Sequence, residues 1–126
     1  MEITLWIVQG LLALAFLGAG GMKLVTPRKR LIDSGSGMAW VNDFSEPAVK
    51  AIAAAEVLGA LGLVLPGALG VATVLTPLAG IGLFLIMVGA VVTHIRRGEN
   101  AAVTPPLVLG LLALAVAVAR FGPYPL

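Results

Sequence analysis

Four apolar runs, each about as long as a bilayer's hydrocarbon core is thick, take up most of this chain. A helix needs about 20 residues to cross that core, so four crossings and their loops use nearly all of the 126 residues. The chain is 60% hydrophobic and 11% charged, where soluble domains sit near half apolar and a quarter charged. It needs an apolar solvent. The reading is an all-α fold, an integral membrane four-helix bundle forming a single transmembrane domain over residues 1–126.

The first span covers about residues 3–25, apolar apart from Gln9 and Lys23, and is stopped by Pro27 ahead of Arg28, Lys29 and Arg30. A cleavable signal peptide carries its positive charge before the apolar run, whereas here the basic cluster follows it, so the helix is expected to be retained. Leu31 to Pro47 is too polar to span, yet Trp40 and Phe44 suit the headgroup zone, which makes this an interfacial segment between helices 1 and 2. The second span, about 48–65, is ended by Pro66 and Gly67, and so tight a connection returns the third span antiparallel beside it. That span covers about 70–95, and Pro77 is expected to bend it by removing the bond to the Thr73 carbonyl. Arg96, Arg97 and Gly98 close it. Pro105 and Pro106 open the fourth span, about 105–121, in a first turn that tolerates proline, and Arg120 with Tyr124 marks its far interface.

Lysine and arginine beside each end set the orientation. Lys23, Arg28, Lys29, Arg30 and Lys50 flank the first loop, Arg96 and Arg97 the third, and Arg120 alone lies at the other end. The asymmetry predicts cytoplasmic basic loops with both termini outside, N-out/C-out, in a multi-pass protein of the cell membrane.

Several functions are excluded by what is missing. With no cysteine, disulfides, thiolate nucleophiles, iron–sulfur ligation and the usual zinc sites all go together. The single histidine, His94, leaves no paired-histidine haem ligation, and ligands for a mononuclear metal are scarce. No metal and no intrinsic cofactor is therefore expected, and a redox cofactor belongs to a partner. A net charge of +2, carried close to the spans, does not make a nucleic-acid surface.

Ionisable groups at membrane depth cost several kcal/mol, so the few present should face protein or water. Lys23 lies near the basic end of the first span, where it either snorkels to the interface or takes part in a site. His94, near the end of the third span, is either an interfacial residue favourably placed at a helix C-terminus or a member of the same site. Glu56 sits about eight residues into the second span, roughly 12 Å deep at 1.5 Å per residue. Ala53, Gly59 and Ala60 share its face, small residues that let another helix approach, so Glu56 points inward. Antiparallel packing brings Lys23, Glu56 and His94 to one level, as a functional cluster or as a tie that holds the bundle together. Gln9, near the other end, and Thr73, Thr76 and Thr93, which can bond their own helix backbone, need no role. Gly18 to Gly21 and the pair Gly59 and Gly62 mark close helix packing, not phosphate loops.

The stretches Gly18-Ala19-Gly20-Gly21-Met22-Lys23-Leu24, Val49-Lys50-Ala51-Ile52-Ala53-Ala54-Ala55-Glu56 and Gly59-Ala60-Leu61-Gly62-Leu63-Val64-Leu65-Pro66, with Leu75-Thr76-Pro77-Leu78-Ala79-Gly80-Ile81-Gly82-Leu83, Met87 and Ala90 through His94, together resemble the DoxX-like family. The resemblance spans nearly the whole chain and implies a small bacterial four-helix membrane protein. It also implies association with quinol oxidase and thiosulfate-oxidising systems, and for some members with oxidative-stress complexes. One departure is Ala53-Ala54-Ala55 where the family has a glycine before the glutamate, which is expected to narrow a pocket there.

The leading functional expectation is a component of membrane redox chemistry acting on a quinone or another small hydrophobic substrate. Glu56 would carry protons with Lys23 and His94 beside it. The alternatives are a small proton-coupled transporter, disfavoured because the small multidrug resistance proteins carry their glutamate on the first helix, and a non-catalytic membrane assembly factor. The expected partners are the lipid bilayer and either a redox protein or further copies of the chain.

Overall fold

The apolar runs fold into four long helices: α1 (Glu2–Val25), α3 (Glu46–Leu69), α4 (Leu75–Arg96) and α5 (Thr104–Phe121), with a short α2 (Arg28–Asp33) after the first. The chain is described by a computed structural model over residues 1–34 and 38–126. A 3₁₀ turn over Ala39–Asp43 precedes α3 and another over Asn100–Val103 leads into α5, and there are no strands among the described residues. Four helical stretches are long and apolar enough to cross a membrane.

Three boundaries differ from the sequence reading, two of them beside a proline. Pro66 does not end the second span: α3 runs through it to Leu69. A proline inside a helix frees the carbonyl four residues earlier, here that of Gly62, and the Thr76 hydroxyl on the facing helix donates to this oxygen at 2.8 Å. Thr76 is fully buried, so the hydrogen bond that α3 loses is replaced from α4, as neighbours in a bilayer must arrange. The helix instead stops at Gly70, whose left-handed φ of +67° lets its N–H reach the Pro66 carbonyl, a conformation that glycine adopts without a Cβ penalty. The third span accordingly begins at Leu75, not at residue 70. Pro77 thus falls in the first turn of α4, where backbone N–H groups have no intrahelical partner in any case. It starts the helix and does not interrupt it, so the bend expected there has no basis. At the other end of α3, Ser45 accepts the Ala48 N–H at 3.3 Å, an N-cap that sets the start at Glu46, ahead of the expected residue 48.

α1 packs along α3, α3 along α4, and α4 along α5, while α5 meets α1 only sparsely. The centre is filled by Leu12, Phe16, Leu63, Leu83 and Val116, among others. Close approach depends on particular glycines. A Cβ on Gly20 would lie 2.9 Å from the Ala53 carbonyl oxygen and from Cβ of Glu56, and one on Gly59 would lie 2.6 Å from Leu83, whereas Gly18 and Gly21 meet nothing within 4 Å. Of the first glycine cluster, therefore, one member serves the α1–α3 contact.

The segment between α1 and α3 is a small structure of its own. Leu31, Val41 and Val49 form a buried cluster, against which Ile32, Met38, Trp40 and Phe44 pack. Arg28 anchors it, donating from Nε to the Phe44 carbonyl at 2.7 Å and from its guanidinium to the Asn42 carbonyl at 3.2 Å. Lys50 reaches back to the end of α1, where it donates to the carbonyls of Lys23 (2.6 Å) and Thr26, satisfying oxygens that a helix C-terminus leaves open.

Candidate functional site

At the basic end of the bundle, Lys23 of α1 and Glu56 of α3 form a direct, buried ion pair. The two side chains are 9% and 2% exposed, so the lysine does not snorkel. Gly20 makes this possible, because it brings α1 against α3 one turn from Lys23. Nζ of Lys23 also lies 5.4 Å from the centroid of the Trp40 ring, within cation–π range.

The pair borders a cavity of about 820 Å³. Its walls are apolar, with Phe16, Ile52, Met87 and Leu109 among them, and its polar lining comes from Lys23, Glu56, Thr93 and His94. Trp40 and Phe44 close over it from the interfacial segment, their rings edge to face at 5.7 Å. The aromatics expected in the headgroup zone are thus half-buried against protein. They pack on the Leu31–Val41–Val49 cluster, with Trp40 beside the Lys23 ammonium. Ala53, expected to narrow the pocket, faces Gly20, and the cavity is bordered from α3 by Ile52 and Glu56.

His94 lines the same cavity but bonds elsewhere: its Nδ1 lies 2.8 Å from Oε1 of Glu99. Glu99 is held below its ordinary value, chiefly by the hydrogen bond from His94 and then by Arg97, against an opposing effect of burial. An ionised carboxylate can only accept, so Nδ1 of His94 is the donor in this contact. Arg97 in turn donates to Asp43 at 2.8 Å, which ties the third loop to the interfacial segment beside the cavity. A carboxyl held below its unfolded value stabilises the fold above that value and loses the contribution as pH falls through the folded one. Acidification below about 4.5, the ordinary value for Glu99, is therefore expected to lower the melting temperature in detergent. Glu99→Gln should flatten that slope, and parallel slopes for the two proteins would contradict the assignment.

A second polar group, at the opposite end, has no counterpart in the sequence reading. Gln9, taken there to need no role, is fully buried and donates from Nε2 to the Leu63 carbonyl at 2.6 Å. It accepts from Nε of Arg120 at 2.8 Å. Arg120, read as an interfacial marker, has a side chain with no exposure. It donates to Glu2 at 2.7 Å and to the Tyr124 carbonyl at 2.9 Å, and lies over Trp6. The available signal was opposite charge at one level, since Glu2 begins the first span and Arg120 ends the fourth. Thr93 donates to the Gly89 carbonyl of its own helix at 2.8 Å, as expected.

A lysine on the first span, a glutamate on the second and a histidine on the third share one cavity in a four-helix membrane bundle, and the model of the DoxX-like family matches residues 7–116. The chain belongs to the DoxX-like family. No curated protein and no solved structure gives a significant match. This DoxX-like protein is a multi-pass membrane protein whose matched region takes in Gln9, Lys23, Glu56 and His94 and stops short of Arg120.

Proposed function

We propose that this DoxX-like protein is a component of membrane redox chemistry that binds a quinone or another small hydrophobic substrate, with Lys23, Glu56 and His94 at the polar end of the site. The observation that carries this reading is the placement of a buried ion pair in the wall of an otherwise apolar cavity of about 820 Å³. Small-molecule sites combine apolar walls with a few convergent polar groups in this way. Reduction of a quinone takes up two electrons and two protons. Glu56 and Lys23 can hold and pass a proton at the substrate's oxygen, and the His94 ring lines the same cavity. The electrons are assigned to a partner redox protein, because the chain has no cysteine and the described residues contain no group of three potential metal ligands.

Intrinsic fluorescence gives a direct test. The chain has two tryptophans, and Trp40 lines the cavity while Trp6 lies at the other end beside Arg120. In a Trp6→Phe protein, a quinone analogue should quench Trp40 saturably, and native membranes should yield quinone with the purified protein. Quenching that never saturates, with no quinone copurifying, would remove the reading. A non-catalytic assembly factor is the second reading, favoured by the directness of the Lys23–Glu56 contact, which by itself ties α1 to α3.

The charge asymmetry supports an orientation with the basic loops cytoplasmic and both termini outside. A cysteine at Gly98, in the loop after α4, should react with impermeant maleimide only when the cytoplasmic face is exposed. Ser36, a matching position in the first loop, lies outside the described residues and should behave alike. Labelling of either from outside intact cells would invert the topology.

A further inference from the structure

We infer that the ligand of this cavity is a long-tailed lipid with a small polar head, entering sideways from the bilayer through a slot between α1 and α5; the inference rests on the proposed function and narrows its substrate class. The four helices do not close evenly. α1 and α5 are fastened at the end opposite the basic loops, where Arg120 bonds Gln9 and Glu2, and otherwise touch sparsely. In the other half the cavity lies between them. Ala15 and Ala19 of α1 and Pro105 of α5 line the cavity and yet are exposed on the molecular surface, so the cavity is open along this seam. Ala15, Ala19 and Lys23 follow at intervals of four on one face of α1. The slot thus begins about 12 Å along the helix from Lys23, at the depth of the hydrocarbon core, and leads to the ion pair.

The lips of the slot are alanine and proline, too short to cover it. The water-facing approach is obstructed instead: Trp40 and Phe44 lie over the cavity, and the Arg97–Asp43 pair fastens the loops beside them. A molecule whose polar head is drawn to Lys23 and Glu56, while its hydrocarbon tail stays in lipid, satisfies both features. The head resides at the pair and the tail passes out between Ala15, Ala19 and Pro105.

Two measurements test the slot. First, Ala19→Phe, at an exposed position that tolerates a larger ring, is placed in the Trp6→Phe background. There it should weaken binding of a decyl-tailed quinone, read by Trp40 quenching, by about tenfold or more, the scale of an overpacked site, while a tail-less quinone binds as before. Equal loss for both, or for neither, would overturn the slot. Second, the chain has no cysteine, so a cysteine introduced at cavity-lining Ala90 can be labelled by an alkyl maleimide carried in vesicles. Ala15→Phe or Ala19→Phe should slow that labelling several-fold, and an unchanged rate would rule out lateral entry. If neither quinone binds the unmodified slot while the labelling is slowed as expected, the quinone reading fails and the lateral route stands.

Discussion

Lys23→Met is expected to destabilise the protein far more than Glu56→Gln, by about 3–5 kcal/mol, the range for removing one partner of a buried ion pair. The asymmetry follows from what each residue keeps when the other changes. Among the described residues, Lys23 is the one side chain hydrogen-bonded to Glu56, so with methionine there the carboxylate is left uncompensated against apolar walls. In Glu56→Gln the ammonium still has an amide oxygen to bond and the Trp40 ring 5.4 Å away. That variant should fold and still lose quinone-dependent activity, because an amide cannot carry a proton. Melting temperature in detergent and activity, measured for both variants side by side, separate the two roles. A fully active Glu56→Gln protein would show that the pair only fastens α1 to α3.

Gln9→Leu is expected to cost about 2–3 kcal/mol, and adding Arg120→Met should recover most of that loss. Arg120 is fully buried, and its Nη2 already lacks a partner among the described residues. Removing Gln9 strands Nε as well, within a side chain that cannot shed its charge. Replacing the arginine with an apolar side chain of similar reach removes the unsatisfied groups instead of adding one. Glu2→Gln should matter little by comparison, since Glu2 is 54% exposed and exposed ion pairs contribute roughly 0–1 kcal/mol. A double-mutant cycle on detergent stability measures the coupling. A double variant no more stable than Gln9→Leu alone would mean that Arg120 acts through its packing on Trp6 and not through its hydrogen bonds.

The sequence determined the features that depend on one residue and its chain neighbours. Hydropathy is local, so four spans, the hairpin between the second and third, and the depth of Glu56 could be read from the run lengths of apolar residues. Lys23 could be placed level with Glu56 because antiparallel helices of known rise share a vertical scale. Tertiary structure alone decided what depends on how each helix is rotated about its axis and how closely it meets the next. Pro66 is harmless because Thr76 on the facing helix bonds the carbonyl it frees. Gln9 and Arg120 form a buried pair because α1 and α5 turn those residues toward each other across 111 positions of sequence. His94 shares the cavity with Glu56 but bonds Glu99, because the chain after α4 folds back within reach of the ring. The cavity is lined by residues from all four long helices and the interfacial segment, a convergence that no local stretch of sequence displays. Lipid is as apolar as the side chains it solvates, so hydropathy ranks residues by depth without distinguishing which neighbour they face; small residues, freed carbonyls and buried charges settle that, and they act only once the helices are side by side.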